Sequence, residues 1–200
     1  MLILQCSPRA GGVSDAVADI FASGAARAGA NIRRVPLREY AVPPCAGCRA
    51  CAAPPHNCLL ARDGIADQAE KIFALLRSSS AIFLAAPIYF YALPAHCKAL
   101  IDRSQRFWAA RERGSLPSMG HIPLLAALTA SRKRGRRLFT GAALTLAYFA
   151  RALGLTLEKP ILLRGLDEPG DLLRRKTLCR NIEILGSRWG TLSTSCSRPG

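Results

Sequence analysis

Leu2-Ile3-Leu4-Gln5-Cys6-Ser7-Pro8-Arg9-Ala10-Gly11-Gly12-Val13-Ser14 is the stretch that decides the fold. Its first four residues are a short apolar run of the kind that fills a buried strand. Beyond Gly12 the pattern changes period. Val17, Ile20, Phe21 and Gly24 follow Ser14 at helical spacing, so an amphipathic helix is predicted to start near Ser14, which can cap it. Between strand and helix lie two hydroxyls (Ser7, Ser14), one cation (Arg9) and a glycine pair (Gly11, Gly12). Hydroxyls, a guanidinium, open backbone N–H groups and the positive end of a helix together suit a phosphate. The loop is neither G-x-G-x-x-G nor a P-loop, whose G-K-[ST] lysine is missing, so a terminal monophosphate fits better than a triphosphate.

Outward from this stretch, strands and helices alternate. Asn31 to Leu37 reads as a second strand and Gly64 to Arg77 as a helix. Ser80 to Ala86 is a continuous apolar run, as a central parallel strand requires. Pro94 opens a helix whose buried stripe is Cys97, Leu100, Ile101, Ser104 and Trp108; this places Cys97 in the core rather than in a ligand set. Ile122 to Leu128 is a fourth strand, Leu138 to Leu153 a helix closed by Gly154, Leu155 to Leu163 a fifth strand, and Asp171 to Gly186 the last helix. Alternation of this kind implies a parallel sheet covered on both faces, with ligands at the carboxyl ends of the strands. One domain over residues 1–190 is expected, with a Cys-rich loop inserted at about 40–63 and a frayed Ser/Thr-rich tail, 191–200, that holds Cys196.

The 200 residues are half hydrophobic and one-fifth charged, a globular composition. No apolar run approaches the ~20 residues of a membrane span, and the N-terminus lacks a basic region and the length of a signal sequence. The cytoplasm is the expected compartment, where thiols stay reduced.

Half of the eight cysteines fall in fourteen residues, Cys45, Cys48, Cys51 and Cys58, spaced C-x2-C-x2-C-x6-C. A [4Fe-4S] cluster is the first reading of this spacing; zinc, or thiols without metal, are the alternatives. His56, inside the last gap, can tune or replace a ligand, or stand simply solvated as a lone loop histidine. His96 and His121 have no evident partner. The formal charge is +15, and much of it is local: ten Lys/Arg and two acids lie between Lys98 and Arg137. Such a patch attracts polyanions or a phosphorylated cofactor, but the run 132–137 has no interleaved aromatics, which argues against nucleic acid.

The loop after the third strand holds Pro87, Ile88, Tyr89, Phe90 and Tyr91. Three consecutive aromatics at the mouth of a sheet offer flat apolar faces to a planar heterocycle, or a dimer patch. Taken together, Ser7-Pro8-Arg9-x-Gly11-Gly12-x-Ser14 and Pro87-Ile88-Tyr89-Phe90-Tyr91-x-Leu93-Pro94-Ala95-x-x-Lys98-x-x-Ile101-Asp102-Arg103 resemble the NADPH-dependent FMN reductase branch of the flavodoxin-like superfamily. The cysteine run resembles its iron–sulfur flavoprotein members.

The resemblance implies an α/β, doubly wound five-stranded parallel sheet in the order 2-1-3-4-5, and FMN at its carboxyl edge. Ser7, Arg9, Gly11, Gly12 and Ser14 would hold the phosphate. Pro87, Ile88, Tyr89, Phe90 and Tyr91 would lie along the flavin ring, with Thr129 and Ser131 reaching its far edge; Lys98, Asp102 and Arg103 would form helix-surface or subunit-contact pairs. Val13 and Cys6 stand where the family commonly has Asn and Gly, and Thr-Ala-Ser with a basic run replaces a Thr-Gly-Gly-like third loop.

The function implied is an FMN-dependent oxidoreductase that couples one-electron transfer through a [4Fe-4S] cluster to two-electron flavin chemistry. Its donor would be ferredoxin or NAD(P)H, and its assembly a homodimer or homotetramer. The alternatives are an NAD(P)H-dependent FMN or quinone reductase without a cluster, and a flavin-based redox sensor that binds through its basic patch.

Overall fold

The computed structural model describes residues 1–61, 66–117 and 120–195. The sheet grows from β1 (Leu2–Gln5), with β2 (Arg33–Pro36) on one side and β3 (Ile82–Pro87) on the other, followed by β4 (Pro123–Ala130). Every pairing is parallel, and the strand order is β2-β1-β3-β4-β5. The expected fifth strand is two pieces on the same edge of β4. β5 (Thr156–Leu157) pairs with Pro123 and Leu124, and β6 (Ile161–Arg164) pairs with residues from Ala127 to Ala130. Pro160 lies in the gap, and a residue without an N–H cannot donate to a ladder there.

Residues alternate across the sheet, as strand geometry requires. Leu2, Leu4, Ile82 and Leu84 face one core, which is closed by α2 (Ala69–Arg77), α3 (Ala95–Arg103), α4 (Gln105–Glu112) and α5 (Thr140–Leu153). Ile3, Phe83 and Ala85 face the other, under α1 (Val13–Arg27), α6 (Pro169–Leu173) and α7 (Lys176–Ser195). Phe21 stacks on Phe83 with ring centroids 3.8 Å apart. α1 and α7 meet backbone to backbone: a Cβ added to Gly24 would lie 2.0 Å from the Glu183 carbonyl oxygen, and one on Gly186 would lie 2.1 Å from that of Phe21.

Several helix limits differ from the sequence reading. α1 begins at Val13 with Gly12 as its N-cap, so Ser14 lies inside the helix and does not cap it. α2 begins at Ala69 rather than Gly64; residues 62–65 lie outside the described ones. The helix from Pro94 breaks at Ser104, whose N–H and Oγ both donate to the Ile101 carbonyl. The break shifts the phase of the buried stripe, so Phe107 is buried and Trp108 only half-buried. The last helix is α6 and α7, divided near Arg174, and α7 continues through Ser195, so residues 191–195 of the expected frayed tail are helical. Cys196 lies outside the described residues. Among those described, no helix is long and apolar enough to cross a membrane.

Candidate active site

Three loops converge at the carboxyl edge of the sheet, around the junctions of β1 with α1, β3 with α3 and β4 with α5. They enclose a cleft of about 190 Å³ lined by Ser7, Arg9, Gly12, Ser14, Pro87, Ile88, Tyr89, Thr129 and Ser131. Nine of the twelve cofactor-binding residues expected from the sequence are thus brought together. Gly11, Phe90 and Tyr91 are outside its lining, and Val13, Ala130, Leu166 and Asp167 complete it.

The cleft floor is polar by construction. Ser14 Oγ and Thr129 Oγ1 are 2.8 Å apart and both residues are buried, which ties α1 to the end of β4. Their contact uses one hydroxyl proton and leaves the other available to a ligand. Ser7 shapes the loop: its Oγ donates to the Arg9 carbonyl at 2.9 Å and accepts the Arg9 N–H at 3.2 Å. The N-terminus of α1 has no side-chain cap, so its first N–H groups face the cleft without an internal partner. A Cβ at Gly12 would lie 3.3 Å from Arg9 Nε, a tight contact that a small shift of the exposed Arg9 side chain relieves.

Two features were not legible beforehand. Arg9 leans across the cleft to Glu168 (3.3 Å) and to the Asp167 carbonyl (3.3 Å), which couples the β1–α1 loop to the turn before α6. Asp15, buried beneath the loop, accepts the Gly11 N–H at 2.9 Å and the Gln5 amide at 3.1 Å, and pairs with Arg38 at 3.1 Å. The ion pair offsets the Asp15 charge beneath the loop. An acid in the first turn of a helix was the available signal for Asp15; nothing in sequence spacing points to Arg38 or Glu168.

The aromatic loop is a tight turn. Tyr89 and Ala92 exchange two backbone hydrogen bonds at 3.0 and 2.9 Å, and the residues between them, Phe90 and Tyr91, have φ of +49° and +64°. Two L-residues in the left-handed region form a strained turn that favours glycine. Phe90 is fully exposed, at 102 % of its reference area. Such strain persists where the fold over-determines it, often at binding sites.

The cysteine-rich segment hangs beside α3 and α4. Arg103 is not a surface residue, as its place in the motif had suggested; it is buried, donates to both oxygens of Asp67 at 3.1 and 2.6 Å, and donates to the Pro43 carbonyl at 3.2 Å. It therefore clamps the two ends of the segment. His56 is buried rather than solvated, with Nδ1 2.9 Å from the Cys51 carbonyl, which only accepts and so fixes the proton on Nδ1. Cys45 and Cys48 are exposed, and Cys51 and Cys58 half-buried. Burial raises the Cys51 pKa, and Cys58, Cys45 and Cys48 add to the rise. Among the described residues, however, no three Cys, His, Asp or Glu side chains are grouped so as to hold a metal ion. Cys6 and Cys97 are buried in the core as free thiols; a hydrogen bond with Cys97 and burial push the Cys6 thiol pKa well up, so it stays protonated.

Residues 1–152, which contain all three loops of the cleft, match the NADPH-dependent FMN reductase family. The chain belongs to that family. No curated protein matches the chain. Among solved structures, it is similar to a flavone reductase (TM-score 0.69, 13 % identity, 100 % of this chain and 65 % of that one). It is also similar to an NAD(P)H:quinone oxidoreductase from Methanothermobacter marburgensis (TM-score 0.63, 15 % identity, 94 % and 95 % covered). A third is an FMN-dependent NADH-azoreductase from Bacillus anthracis str. Ames Ancestor in complex with FMN (TM-score 0.63, 14 % identity, 94 % and 98 % covered). The chain thus spans just under two-thirds of the flavone reductase. These likenesses establish a shared flavodoxin-like fold. Membership of the NADPH-dependent FMN reductase family makes the chain an FMN-dependent oxidoreductase.

Proposed function

We propose that the chain is an NAD(P)H-dependent flavin or quinone reductase that works without a metal cluster. The observation that carries this reading is the cleft itself, where an uncapped helix N-terminus, a free hydroxyl proton, Arg9 and the apolar faces of Ile88 and Tyr89 share one small volume. These groups fit a monophosphate joined to a flat heterocycle. The chemistry supplied by bound FMN is two-electron transfer from a reduced nicotinamide to an acceptor.

The chain's residues bind and orient. The α1 N-terminus, Gly12, Ser14 and Arg9 hold the phosphate; Asp15, paired with Arg38, keeps the Gly11 turn in place below it. Pro87, Ile88 and Tyr89 take one side of the ring, with Thr129 and Ser131 along its far edge. Phe90 and Tyr91, outside the cleft lining, form the outer rim. No side chain is required as a proton donor in this scheme. The reading also places the protein in the cytoplasm as a homodimer or homotetramer.

The test is reconstitution with FMN followed by anaerobic addition of NADH or NADPH. Quenching of FMN fluorescence on binding, then bleaching of the flavin absorbance, is expected. Failure to bind FMN, or a bound flavin that neither nucleotide bleaches, sinks the proposal.

A second reading adds a [4Fe-4S] cluster at Cys45, Cys48, Cys51 and Cys58, with ferredoxin as a one-electron donor. It is supported by the spacing, and by Cys51 lying within electrostatic reach of the other three thiols. Iron and sulfide analysis after anaerobic purification separates the two: near-stoichiometric iron and sulfide favours the cluster, and four freely alkylated thiols with no iron after reconstitution removes it.

A further inference from the structure

Arg9 and Glu168 form a bridge between two segments whose backbones are each fixed in place. Ser7 Oγ accepts the Arg9 N–H at 3.2 Å and donates to the Arg9 carbonyl at 2.9 Å. On the other side, the Asp171 carboxylate accepts the N–H groups of Asp167 and Glu168 at 2.9 and 3.0 Å. The same turn is docked against the end of β4: the Gly165 N–H donates to the Arg132 carbonyl at 3.2 Å and the Leu166 N–H to the Ala130 carbonyl at 3.1 Å. Glu168 is also the N-cap of α6, so its carboxylate is held by the Asp171 N–H. Between these anchored backbones, the long Arg9 side chain is the flexible part.

The bridge gives that side chain one orientation. Arg9 Nη1 donates to Glu168 Oε1 at 3.3 Å, and Nη2 donates to the Asp167 carbonyl at 3.3 Å. These bonds use two of the five guanidinium N–H donors. The Nε edge lies over Gly12, the N-cap of α1: a Cβ there would be 3.3 Å from Nε and 3.7 Å from Nη2. A guanidinium edge that presents Nε–H beside an Nη–H is a fork that matches two oxygens of a phosphate. The fork therefore stands at the uncapped N-terminus of α1, where a helix favours an anion. Both side chains of the bridge are exposed, so the pair adds little to folding stability. Its consequence is placement.

We propose that Glu168 is a positioning residue, which holds the Arg9 fork over α1 before a ligand arrives and so sets how strongly the cleft prefers FMN to riboflavin. The proposal rests on the flavin reading of the cleft. Riboflavin carries the same ring and no phosphate, so only FMN gains from a fork already in place. Without the bridge, Arg9 must be ordered at the moment of binding, which for one long side chain costs about two- to tenfold in affinity. The opposite role for Glu168 is competition, in which its carboxylate keeps Arg9 from the phosphate; removing the bridge would then tighten binding. The Nε edge over Gly12 favours placement, because the bridge leaves that edge open.

The test is fluorescence titration of the flavin-free protein with FMN and with riboflavin, in the parent and in Glu168→Asp. Aspartate keeps the charge and is a good helix N-cap, while its shorter side chain either loses Arg9 or draws it off Gly12. The Kd for FMN should rise about two- to tenfold, and the Kd for riboflavin should stay unchanged. In an Arg9→Met background, Glu168→Asp should cause no further loss. Tighter or unchanged FMN binding by Glu168→Asp overturns the proposal. So does an equal loss for riboflavin, or a full effect of Glu168→Asp in the absence of Arg9. In each of these cases, FMN binding by the parent leaves the reading of the cleft standing. A parent that binds neither flavin removes that reading, and the proposal with it.

Discussion

Arg103 and Asp67 form a two-bond ion pair, at 3.1 and 2.6 Å, with both side chains sealed from solvent. The same guanidinium reaches the Pro43 carbonyl, so one residue of α3 closes the base of the whole cysteine-rich segment. Asp67→Asn should cost about 3 kcal/mol, because it leaves a buried charge without its partner. Urea denaturation measures this. Replacing both partners with apolar residues (Arg103→Met with Asp67→Leu) should cost less than the sum of the single changes. A surface-like loss below about 1 kcal/mol for Asp67→Asn would contradict the burial.

The α1–α7 contact should tolerate no side chain at Gly186. A Cβ there meets backbone at 2.1 Å and the neighbour cannot rotate away. Gly186→Ala is expected to lose about 3 kcal/mol, the upper end of overpacking costs. Gly170→Ala, whose nearest obstacle is the flexible end of Arg174 at 3.4 Å, should be neutral or gain up to about 1 kcal/mol from helix propensity. Thermal unfolding of the two variants tests the contrast.

Phe90→Gly should stabilise the protein by about 1 kcal/mol. The left-handed backbone at Phe90 costs roughly that much for an L-residue, and its fully exposed ring has no packing to lose. A lower melting temperature for this variant would show that the aromatic ring supports the turn.

Ser14→Ala leaves Thr129 Oγ1 buried without its partner, and Thr129→Val does the converse. Each should cost about 1–3 kcal/mol. The double variant should recover much of that stability, because neither polar atom remains. FMN affinity should not recover with it, since the free hydroxyl proton is gone. Fluorescence titration alongside denaturation separates the two effects; recovery of both would remove these hydroxyls from the cofactor site.

Burial, with help from the Arg38 charge, lowers the His96 pKa from its ordinary 6.5, and Nε2 is buried without a hydrogen-bond partner. The unfolded chain therefore binds the proton more readily than the folded one. His96 should cost no stability from this source above about pH 6.5, and stability should fall as pH drops through that value toward the lower folded pKa. His96→Gln should flatten this part of the pH–stability curve. A curve that stays unchanged would mean that His96 is not the responsible group.

Local chemistry in the sequence was enough for the parallel architecture and most of the loops that line the cleft; the strand order came from the family resemblance. Apolar runs, helical spacing and the hydroxyl–cation–glycine set before α1 each act within a few residues, so they can be read along the chain. The same holds for the three aromatics after β3. Other features depend on where distant segments meet. Pro160 splits the edge strand only because β4 offers two separate stretches of ladder, and the phase change at Ser104 exchanges Trp108 for Phe107 in the core.

Long-range packing also set the roles of individual charges and thiols. Arg9 meets Glu168, Asp15 meets Arg38, and Arg103 turns inward to Asp67, all across spans that carry no periodic signal. The cysteine spacing alone suggested four converging ligands. The fold adds that Cys45 and Cys48 are exposed and that the ends of their segment are clamped to α3. Sequence by itself determined that the hydroxyl- and glycine-bearing loop after β1 and the aromatic loop after β3 would share one sheet edge, because strand-to-helix junctions of a parallel sheet must lie there. Only the tertiary structure decided which charges are neutralised around that edge, because ion pairing depends on distances through space.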